Sequence, residues 1–332
     1  MSIKVVITNL DYGQNYDEYI HQMASSGIEA VWVSPSNYSS QETVRVAKGF
    51  DAVIAGGEQY DRPALEQLRD RLKIIARHGT GIDNIDIKAA TELGIAVTNA
   101  AGRNARPVAE HAVGMMLALT RKICQYNAQM HRGVWSPAVS KELYGKTVGI
   151  VGFGAIGRWL ASLLKGFSCR ILVYDKVPCV EAAKSADAEY VSLDYLLAHS
   201  DFVSLHLPLT QETRGSIGNE FFRKMKPTAI FVNTSRGKIV RENELVEALQ
   251  AGIIAGACLD VFANPPINES HPLCGMQNVV MSPHTSAVTE ESMDDTFQCV
   301  LNDIIDFFAG LEPANLLNPD YRANLTGAAS YE

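Results

Sequence analysis

The chain has 332 residues, of which 47% are hydrophobic and 20% are charged, and its formal net charge is −8. This length accommodates two domains, and the composition is that of a globular protein. The acidic balance predicts no nucleic-acid partner, and no apolar run approaches the ~20 residues that a membrane-spanning helix needs. The six cysteines are scattered without a CxxC pair, and the first residues lack a signal-peptide pattern. A cytoplasmic protein with reduced thiols, no membrane partner and no metal site is therefore predicted.

Strand and helix patterns alternate over the first part of the chain. Strands are predicted at Lys4–Thr8, Ala30–Val33, Ala52–Ala55, Lys73–Arg77 and Ile95–Thr98, and helices at Tyr16–Ser25, Pro63–Arg71 and Asp86–Leu93. Repeated strand-helix units predict a parallel sheet with helices on both faces. Because this part contains no GxGxxG sequence, the pattern that marks dinucleotide-binding turns, it is predicted to form a domain without a cofactor site.

A long helical pattern runs from Arg106 to about Gln129, with apolar residues spaced to form one core-facing stripe. It is predicted to be a long helix that joins two domains. The stretch Val134–Pro137 follows, is irregular and carries a large aromatic residue, Trp135. Two interpretations remain open for it: a surface loop with its ring tucked in, or an arm that packs on a partner subunit.

The stretch from Thr147 to Lys176 combines a strand, a glycine-rich turn, a helix and a second strand that ends on an acid. Its glycines are Gly152, Gly154 and Gly157, and its acid is Asp175. This order matches the fingerprint of dinucleotide-binding domains. There the glycines allow a tight turn, the close approach of a pyrophosphate and the packing of the helix on the sheet.

The ends of this stretch predict which dinucleotide is bound. The helix start at Ala155 and Ile156 offers N–H groups and the positive end of the helix dipole to phosphates. Asp175 can accept hydrogen bonds from a ribose 2′-OH and would repel a 2′-phosphate. This predicts NAD rather than NADP, although the neighbouring Lys176 is a cation suited to a phosphate.

Strand and helix patterns continue to residue 308. Strands are predicted at Tyr190–Val191, Phe202–Leu207, Ala229–Asn233, Ala255–Val261 and Asn278–Met281, and helices at Leu193–His199, Asn219–Met225, Glu242–Ala251 and Glu290–Phe308. They predict an α/β fold of two Rossmann-like doubly wound domains, the second with a six- or seven-stranded parallel sheet. A discontinuous, flavodoxin-like domain of residues 1–101 and 289–332 is expected to bind the substrate. Residues 102–288 are expected to bind the cofactor.

Polar or ionisable residues follow three strands of the predicted cofactor domain: Arg236, Asp260 and His284. Ligands of parallel α/β sheets bind beyond the carboxyl ends of the strands. These side chains are therefore predicted to lie near the reactive end of a bound dinucleotide. The turn His78–Gly81 ends a strand of the other domain, and a substrate held between the domains would meet it too.

Several motifs occur together along the chain: HGTGIDNID, NARPVAEHAVGMML, VGIVGFGAIG with VYD, SLHLPLTQET, VNTSRG, LDVF and SPHTSA. Taken together, they resemble the D-isomer-specific 2-hydroxyacid dehydrogenases, a family that includes phosphoglycerate, glycerate and D-lactate dehydrogenases. The resemblance covers nearly the whole chain. It implies two Rossmann-like domains with an interdomain cleft and a homodimer built largely through the cofactor domain. It also implies NAD(P)-dependent interconversion of a 2-oxo acid and a D-2-hydroxy acid.

The resemblance assigns roles that the residue types can fulfil. Arg236 is expected to bind the substrate carboxylate and polarise the carbonyl, because a guanidinium presents several donors in a fixed fork. His284 is expected to be the acid/base group. The backbone of the Gly79, Thr80 and Gly81 turn is expected to hold the carboxylate from the other side. Expected contacts of the cofactor are Asp260 at the nicotinamide amide and, as neighbours, Thr80, Leu207, Pro208, Thr213 and Thr234.

One position departs from the family pattern. After LDVF the family carries a glutamate that hydrogen-bonds the catalytic histidine, and here that position is Pro265. Proline has neither an ionisable side chain nor an N–H, so His284 is expected to be held less firmly. Reduction of 2-oxo acids is then expected to be weaker, or shifted to more acidic pH, than in relatives that keep the glutamate. Asn264, Asn268 and Glu269 are possible substitutes after a local shift.

Two classes of function remain open. One is an active NAD-dependent dehydrogenase, which intact Arg236 and His284 favour. The other is an NAD-binding scaffold or redox-sensing interaction protein with weakened catalysis, which Pro265 favours. Two arginines near the end of a first-domain strand, Arg103 and Arg106, allow either a solvated surface or a pocket for a second anionic group of the substrate.

Overall fold

The computed structural model describes residues 2–8 and 16–324. The chain divides into two compact units, Met1–Asn104 with Val288–Glu332, and Ala105–Ala287. The predicted substrate domain also contains residues 1, 9–15 and 325–332, which lie outside the described residues. Each unit is built on one parallel sheet with helices on both of its faces.

The first unit contains a five-stranded sheet in the order β2-β1-β3-β4-β5. Its strands are β1 (Ile3–Ile7), β2 (Ile28–Trp32), β3 (Ala52–Ala55), β4 (Ile74–Arg77) and β5 (Ala96–Asn99), and its first four helices are α1 (Tyr16–Ser25), α2 (Ser40–Ala47), α3 (Arg62–Leu68) and α4 (Ile87–Glu92). The strands β3, β4 and β5 are short and almost fully buried. Continuous apolar strands of this kind are typical of parallel sheets covered on both faces.

Helix α2 is absent from the sequence prediction because most of its residues are polar. It begins after Ser39, whose side chain accepts a hydrogen bond from the Glu42 N–H at 3.3 Å. A serine followed three residues later by glutamate is a known signal for a helix start. That signal was present in the sequence, but the weak apolar pattern of the following residues hid the helix.

The long helix expected from Arg106 to about Gln129 is two helices, so that prediction is wrong. The observed helices are α5 (Ala105–Thr120) and α6 (Ile123–Met130). Lys122 has a φ of 57° and lies in the left-handed region, which interrupts the helix. Helix α5 buries nine residues, whereas α6 buries none.

The second unit contains a seven-stranded parallel sheet in the order β12-β11-β10-β9-β6-β7-β8. Its strands are β6 (Thr147–Val151), β7 (Arg170–Tyr174), β8 (Ala188–Tyr190), β9 (Phe202–Leu205), β10 (Ile230–Asn233), β11 (Gly256–Leu259) and β12 (Val279–Met281). Its further helices are α7 (Ala155–Leu164), α8 (Val180–Ala186), α9 (Leu193–His199), α10 (Asn219–Lys224) and α11 (Glu242–Gln250). The sequence pattern does not predict α8. The chain reverses its direction of winding between β6 and β9, and such a switch point is where doubly wound sheets bind ligands.

The last helix, α12 (Glu290–Phe308), belongs to the first unit. Thr289 caps its start by accepting a hydrogen bond from the Ser292 N–H. Its buried face packs on β3, β4 and β5 and includes Phe297, Val300 and Ile304. Short 3-10 helices occur at Lys165–Phe167, Gly237–Ile239, Pro272–Gly275 and Pro319–Asn324.

The two parallel sheets with their covering helices confirm the predicted α/β fold class. Seven strands in the second unit settle the choice between six and seven. Within the described ranges, no helix combines the length and the apolar character that crossing a membrane requires.

Candidate active site

The glycine-rich turn follows β6 at the switch point of the second sheet. Gly152 has a φ of +96°, and a Cβ at this position would lie 2.5 Å from the carbonyl oxygen of His206. A Cβ on Gly157 would lie 2.5 Å from the carbonyl oxygen of Gly152. Backbone atoms cannot retreat from such contacts, so the packing of the protein itself requires glycine at both positions.

Gly154 is different, because a Cβ there would meet no atom within 4 Å. Its φ of −75° and ψ of −158° are ordinary for any residue. The fold therefore gives no reason for glycine at position 154. A ligand that approaches the backbone does give one, and Gly154 stands at the start of α7, before Ala155 and Ile156. This position fits a pyrophosphate.

Asp175 follows β7 and is fixed beside the glycine turn. One carboxylate oxygen accepts a hydrogen bond from the Phe153 N–H at 2.7 Å, and the other accepts one from the Val177 N–H at 3.0 Å. The ammonium of Lys176 lies 2.6 Å from a carboxylate oxygen of Glu212. That ion pair is exposed and contributes little energy, but it places a carboxylate beside the cation that would otherwise attract a 2′-phosphate. The arrangement fits NAD better than NADP.

The loop after β9 carries Leu207, Pro208 and Thr213. The Thr213 hydroxyl donates to the Pro208 carbonyl at 2.7 Å and accepts from the Thr210 N–H at 2.8 Å, so it holds this loop together. Sequence reasoning did not single out His206, which begins the loop. Burial lowers the pKa of His206 to about 4, so its ring is neutral at neutral pH, and its Nε2 lies 2.8 Å from the Ser204 hydroxyl.

Arg236 follows β10 in a turn that hydrogen bonds hold in place. The side-chain oxygen of Asn233 accepts from the Ser235 N–H at 3.0 Å and from the Ser235 hydroxyl at 2.8 Å. The Asn233 amide donates to the Arg236 carbonyl at 3.2 Å. The Arg236 guanidinium donates to the Ser235 carbonyl at 2.8 Å. Thr234 stands between Asn233 and Ser235 in this turn. Its hydroxyl oxygen is buried and has no hydrogen-bond partner among the described residues.

Asp260 follows β11 and is completely buried. Its carboxylate accepts hydrogen bonds from the Ser282 hydroxyl at 2.6 Å, the Thr285 N–H at 2.9 Å and the Ser286 N–H at 3.0 Å. Its carbonyl accepts from the His284 N–H at 2.9 Å. The expected contact with a nicotinamide amide stays a prediction. What the structure adds is that Asp260 holds the turn that carries His284.

His284 follows β12 and is exposed, with a φ of 58°. The loop that carries Pro265 is held by Glu242. The Glu242 carboxylate accepts a hydrogen bond from the Ala263 N–H at 2.9 Å and lies 3.2 Å from the His271 ring. Among the suggested substitutes for the family glutamate, Asn268 is engaged locally. Its side-chain oxygen accepts from the N–H and the hydroxyl of Ser270. Asn264 and Glu269 are exposed.

The second unit therefore places most of the predicted site residues along one edge of its sheet. The strands β12, β11, β10, β9, β6 and β7 are consecutive neighbours and parallel. Their carboxyl ends carry, in that order, His284, Asp260, Arg236, the Leu207–Thr213 loop, the glycine turn and Asp175. Neighbouring strands lie about 4.8 Å apart, so this edge forms one continuous row of polar groups.

The predicted turn of the first unit, Gly79–Gly81, follows β4. The Gly79 N–H donates to the Arg77 carbonyl at 2.8 Å and is therefore engaged. Within the described parts of the chain, the N–H groups of Thr80 and Gly81 make no hydrogen bond. The Thr80 hydroxyl donates to the Asn104 side chain at 2.8 Å. Of the three N–H groups that were expected to bind a ligand, those of Thr80 and Gly81 are therefore available and that of Gly79 is not.

Arg103 lies 3.1 Å from the carboxylate of Asp295, and both side chains are about half exposed. The pair favours the solvated-surface interpretation of Arg103. Arg106, at the start of α5, is exposed as well. Among the described residues, no group of three or more histidine, cysteine, aspartate or glutamate side chains is arranged to hold a metal ion.

Comparison with known proteins gives consistent similarities. Residues 113–286 match the model of the D-isomer specific 2-hydroxyacid dehydrogenase NAD binding domain. The chain is 42% identical over 300 residues to a glyoxylate reductase of Thermococcus litoralis, covering 87% of this chain and 90% of that protein. It is 38% identical over 304 residues to a D-3-phosphoglycerate dehydrogenase of Archaeoglobus fulgidus, covering 91% of this chain but only 57% of that longer protein.

Solved structures agree with the sequence comparisons. The apo-structure of D-lactate dehydrogenase from Escherichia coli superimposes with a TM-score of 0.81 at 30% sequence identity, covering 95% of this chain and 100% of that chain. The similarity in sequence and the similarity in structure thus both extend over the two units of the chain. The chain belongs to the D-isomer specific 2-hydroxyacid dehydrogenase family, and residues 113–286 form its NAD binding domain.

Proposed function

We propose that this protein interconverts a 2-oxo acid and a D-2-hydroxy acid. The observation that carries the proposal is the row of Arg236, Asp260 and His284 at the ends of three adjacent strands, on the same sheet edge as the glycine turn. A cation that binds carboxylates and an imidazole that transfers protons are the two groups that carbonyl reduction requires. The bound cofactor would accept the hydride as NAD when the hydroxy acid is oxidised and would donate it as NADH when the oxo acid is reduced.

Arg236 and His284 are proposed to have different roles in the reaction. Arg236 binds the substrate carboxylate and orients the 2-oxo group, and its positive charge stabilises the negative charge that develops on the carbonyl oxygen. His284, as imidazolium, delivers its ring proton to that oxygen, so the product is a neutral hydroxyl. In the oxidative direction the neutral imidazole takes the hydroxyl proton. The N–H groups of Thr80 and Gly81, which make no hydrogen bond among the described residues, are proposed as further substrate-binding donors.

The test is NADH oxidation with a panel of 2-oxo acids. The names of the relatives suggest glyoxylate, pyruvate and phosphohydroxypyruvate, to which hydroxypyruvate and bulky 2-oxo acids are added. Arg103 pairs with Asp295, so we expect small uncharged side chains to be preferred over phosphorylated ones. Turnover of at least one member, with D stereochemistry of the product, supports the proposal.

A second candidate function is an NAD-binding scaffold or redox-sensing interaction protein with weakened catalysis. Pro265 favours it, because the family glutamate that supports the histidine is missing. The same panel separates the two functions. Tight NADH binding without turnover of any member would establish the scaffold, whereas turnover confined to more acidic pH would show an active enzyme with a poorly supported His284.

Gly154→Ala is expected to weaken NADH binding by about tenfold or more, equivalent to ~1.4 kcal/mol, and to leave thermal stability unchanged. The new methyl group meets no protein atom within 4 Å, so only a ligand in that space would be affected. Titration of protein fluorescence with NADH and a melting curve measure the two effects. Gly157→Ala is the matched control and should lose stability, because its Cβ would lie 2.5 Å from a backbone oxygen.

We further propose that the protein is a homodimer and that the second unit forms the interface. Trp135 is 82% exposed, which rules out a ring tucked against its own loop and favours the arm. Exposed apolar side chains are concentrated between residues 123 and 144, namely Ile123, Met130, Val134, Trp135, Val139 and Tyr144. Because exposed apolar patches mark interaction sites, this concentration in one stretch of the chain supports an interface there.

The double variant Trp135→Ser, Val139→Ser is expected to shift the protein from dimer toward monomer, because it removes the most exposed apolar groups of that surface. Light scattering coupled to gel filtration over a dilution series measures the mass. Val177→Ser is the matched control, because Val177 is 79% exposed on another loop, and it should leave the mass unchanged. A wild-type monomer at all concentrations would contradict the dimer.

The proposed location is the cytoplasm. All six cysteines are free thiols and form no disulfide, which is the usual state of cysteines in reducing compartments. Recovery of a tagged protein in a secretory or periplasmic fraction would contradict this location.

A further inference from the structure

The backbone at His284 is held in a conformation that needs support. A φ of 58° is unfavourable for a residue with a Cβ, and such a residue persists only where its surroundings fix it. Here the support comes from Asp260. Its carbonyl accepts the His284 N–H, and its carboxylate accepts the N–H groups of Thr285 and Ser286.

A side-chain donor completes the shell of that buried carboxylate. The Ser282 hydroxyl lies 2.6 Å from the Asp260 oxygen that also accepts from Thr285. The same hydroxyl lies 2.8 Å from Nε2 of His111, on α5. A hydroxyl has one proton, and a carboxylate oxygen is the stronger acceptor, so Ser282 donates to Asp260. The His111 Nε2 must then carry a hydrogen and donate to Ser282.

His111 thereby sets the direction of the Ser282 hydroxyl. A second acceptor is within reach of that hydroxyl, since the Met115 sulfur lies 3.9 Å away. Donation from His111 occupies a lone pair of the Ser282 oxygen. The hydroxyl hydrogen of Ser282 therefore stays directed at the Asp260 carboxylate. His111 itself is 3.8 Å from the Asp260 carboxylate, too far for a direct hydrogen bond. The serine lies between the histidine and the aspartate, so this is not the arrangement of a nucleophilic triad.

We propose that His111 is a positioning residue for His284 and acts through Ser282 and Asp260. The inference rests on the proposed acid/base role of His284. In the position of the family glutamate, Pro265 offers no acceptor to the imidazole. In this chain, hydrogen bonds that run from α5 to the turn after β12 hold the backbone that carries the imidazole.

The variants His111→Leu, His111→Gln and Ser282→Ala test this inference. His111→Leu removes the donor to Ser282, and we expect kcat to fall by about 10²-fold with little change in the KM for the 2-oxo acid, because displacement of a catalytic group by ~1 Å has effects of this size. His111→Gln keeps an N–H donor and should recover most of kcat. Ser282→Ala should resemble His111→Leu. Melting curves restrict the comparison to folded protein.

A spectroscopic measurement tests the inference without turnover. Nitrogen-15 spectra of the histidine rings should show His111 with its hydrogen on Nε2. His199 provides an internal reference, because its Nδ1 lies 2.7 Å from the Tyr195 carbonyl and must carry the hydrogen there. In Ser282→Ala the His111 signal should change, and in His111→Leu the His284 signal should change.

Each outcome decides between the alternatives. Equal losses of kcat in His111→Leu and His111→Gln would show a purely structural role and overturn the proposal, as would unchanged kcat in both or a hydrogen on Nδ1 of His111. Loss in His111→Leu with recovery in His111→Gln supports it. If the wild type turns over no 2-oxo acid, the proposed function fails by itself. The response of the His284 signal to His111→Leu then decides whether the two residues are coupled.

Discussion

His284→Asn is expected to lower kcat for 2-oxo acid reduction by about 10²–10⁴-fold, the usual contribution of a positioned general acid, while NADH still binds. Asparagine retains a side-chain N–H and the tolerance for a positive φ that position 284 requires. It cannot deliver a proton at neutral pH. Steady-state kinetics with the best substrate of the panel, together with an NADH titration, measure the two effects separately.

His199→Asn is the matched control for this prediction. His199 is an exposed histidine of the same unit and ends α9, so its replacement should change neither kcat nor NADH binding. The pH dependence gives a second criterion. In the wild type, reduction should decline with rising pH as imidazolium is lost, and oxidation should decline with falling pH. A His284→Asn enzyme with wild-type kcat would rule out the acid/base assignment.

Arg236→Gln is expected to lower kcat/KM by about 10³-fold, or ~4 kcal/mol, because one side of a charge pair with the substrate is left without its partner. Arg236 is proposed to bind the carboxylate in the ground state and to stabilise the oxyanion as it forms. KM should therefore rise and kcat should fall. Initial rates over a range of substrate concentrations separate these contributions.

Arg236→Lys keeps the charge but loses the planar fork, and it should recover part of the loss in KM and little of the loss in kcat. Arg223→Gln is the control, because Arg223 is an exposed arginine at the end of α10 and should behave as the wild type. If KM for the 2-oxo acid were unchanged in Arg236→Gln, another cation would have to bind the carboxylate.

The errors in the predicted elements have local causes. The interruption between α5 and α6 lies at Lys122, where the apolar stripe gave no warning because lysine seldom adopts a positive φ. Helix α2 was overlooked because its buried side is short, although its Ser39 and Glu42 carry a capping signal. Helix α8 was missed as well. For the remaining elements the alternation of short apolar strands and amphipathic helices was sufficient, because in a parallel sheet each strand is buried on both faces.

The class of fold, the glycine turn with its acid, and the polar residues that follow three strands of the second sheet could all be predicted from the sequence. These features are local, since a motif such as Gly152–Gly157 binds through its own backbone. The absence of a glutamate at Pro265 is also visible in the sequence alone.

The hydrogen bonds that hold the turn of His284 become visible only in the folded chain. His111 and Ser282 are 171 positions apart in sequence, and Ser282 and Asp260 are 22 apart. They meet because α5 packs on β11 and β12, and because those two strands are adjacent. Tertiary structure also distinguished Gly154, where a side chain has room, from Gly152 and Gly157, where it has none. Hydrogen bonds and free space of this kind depend on distances between segments, which a pattern along one chain does not encode.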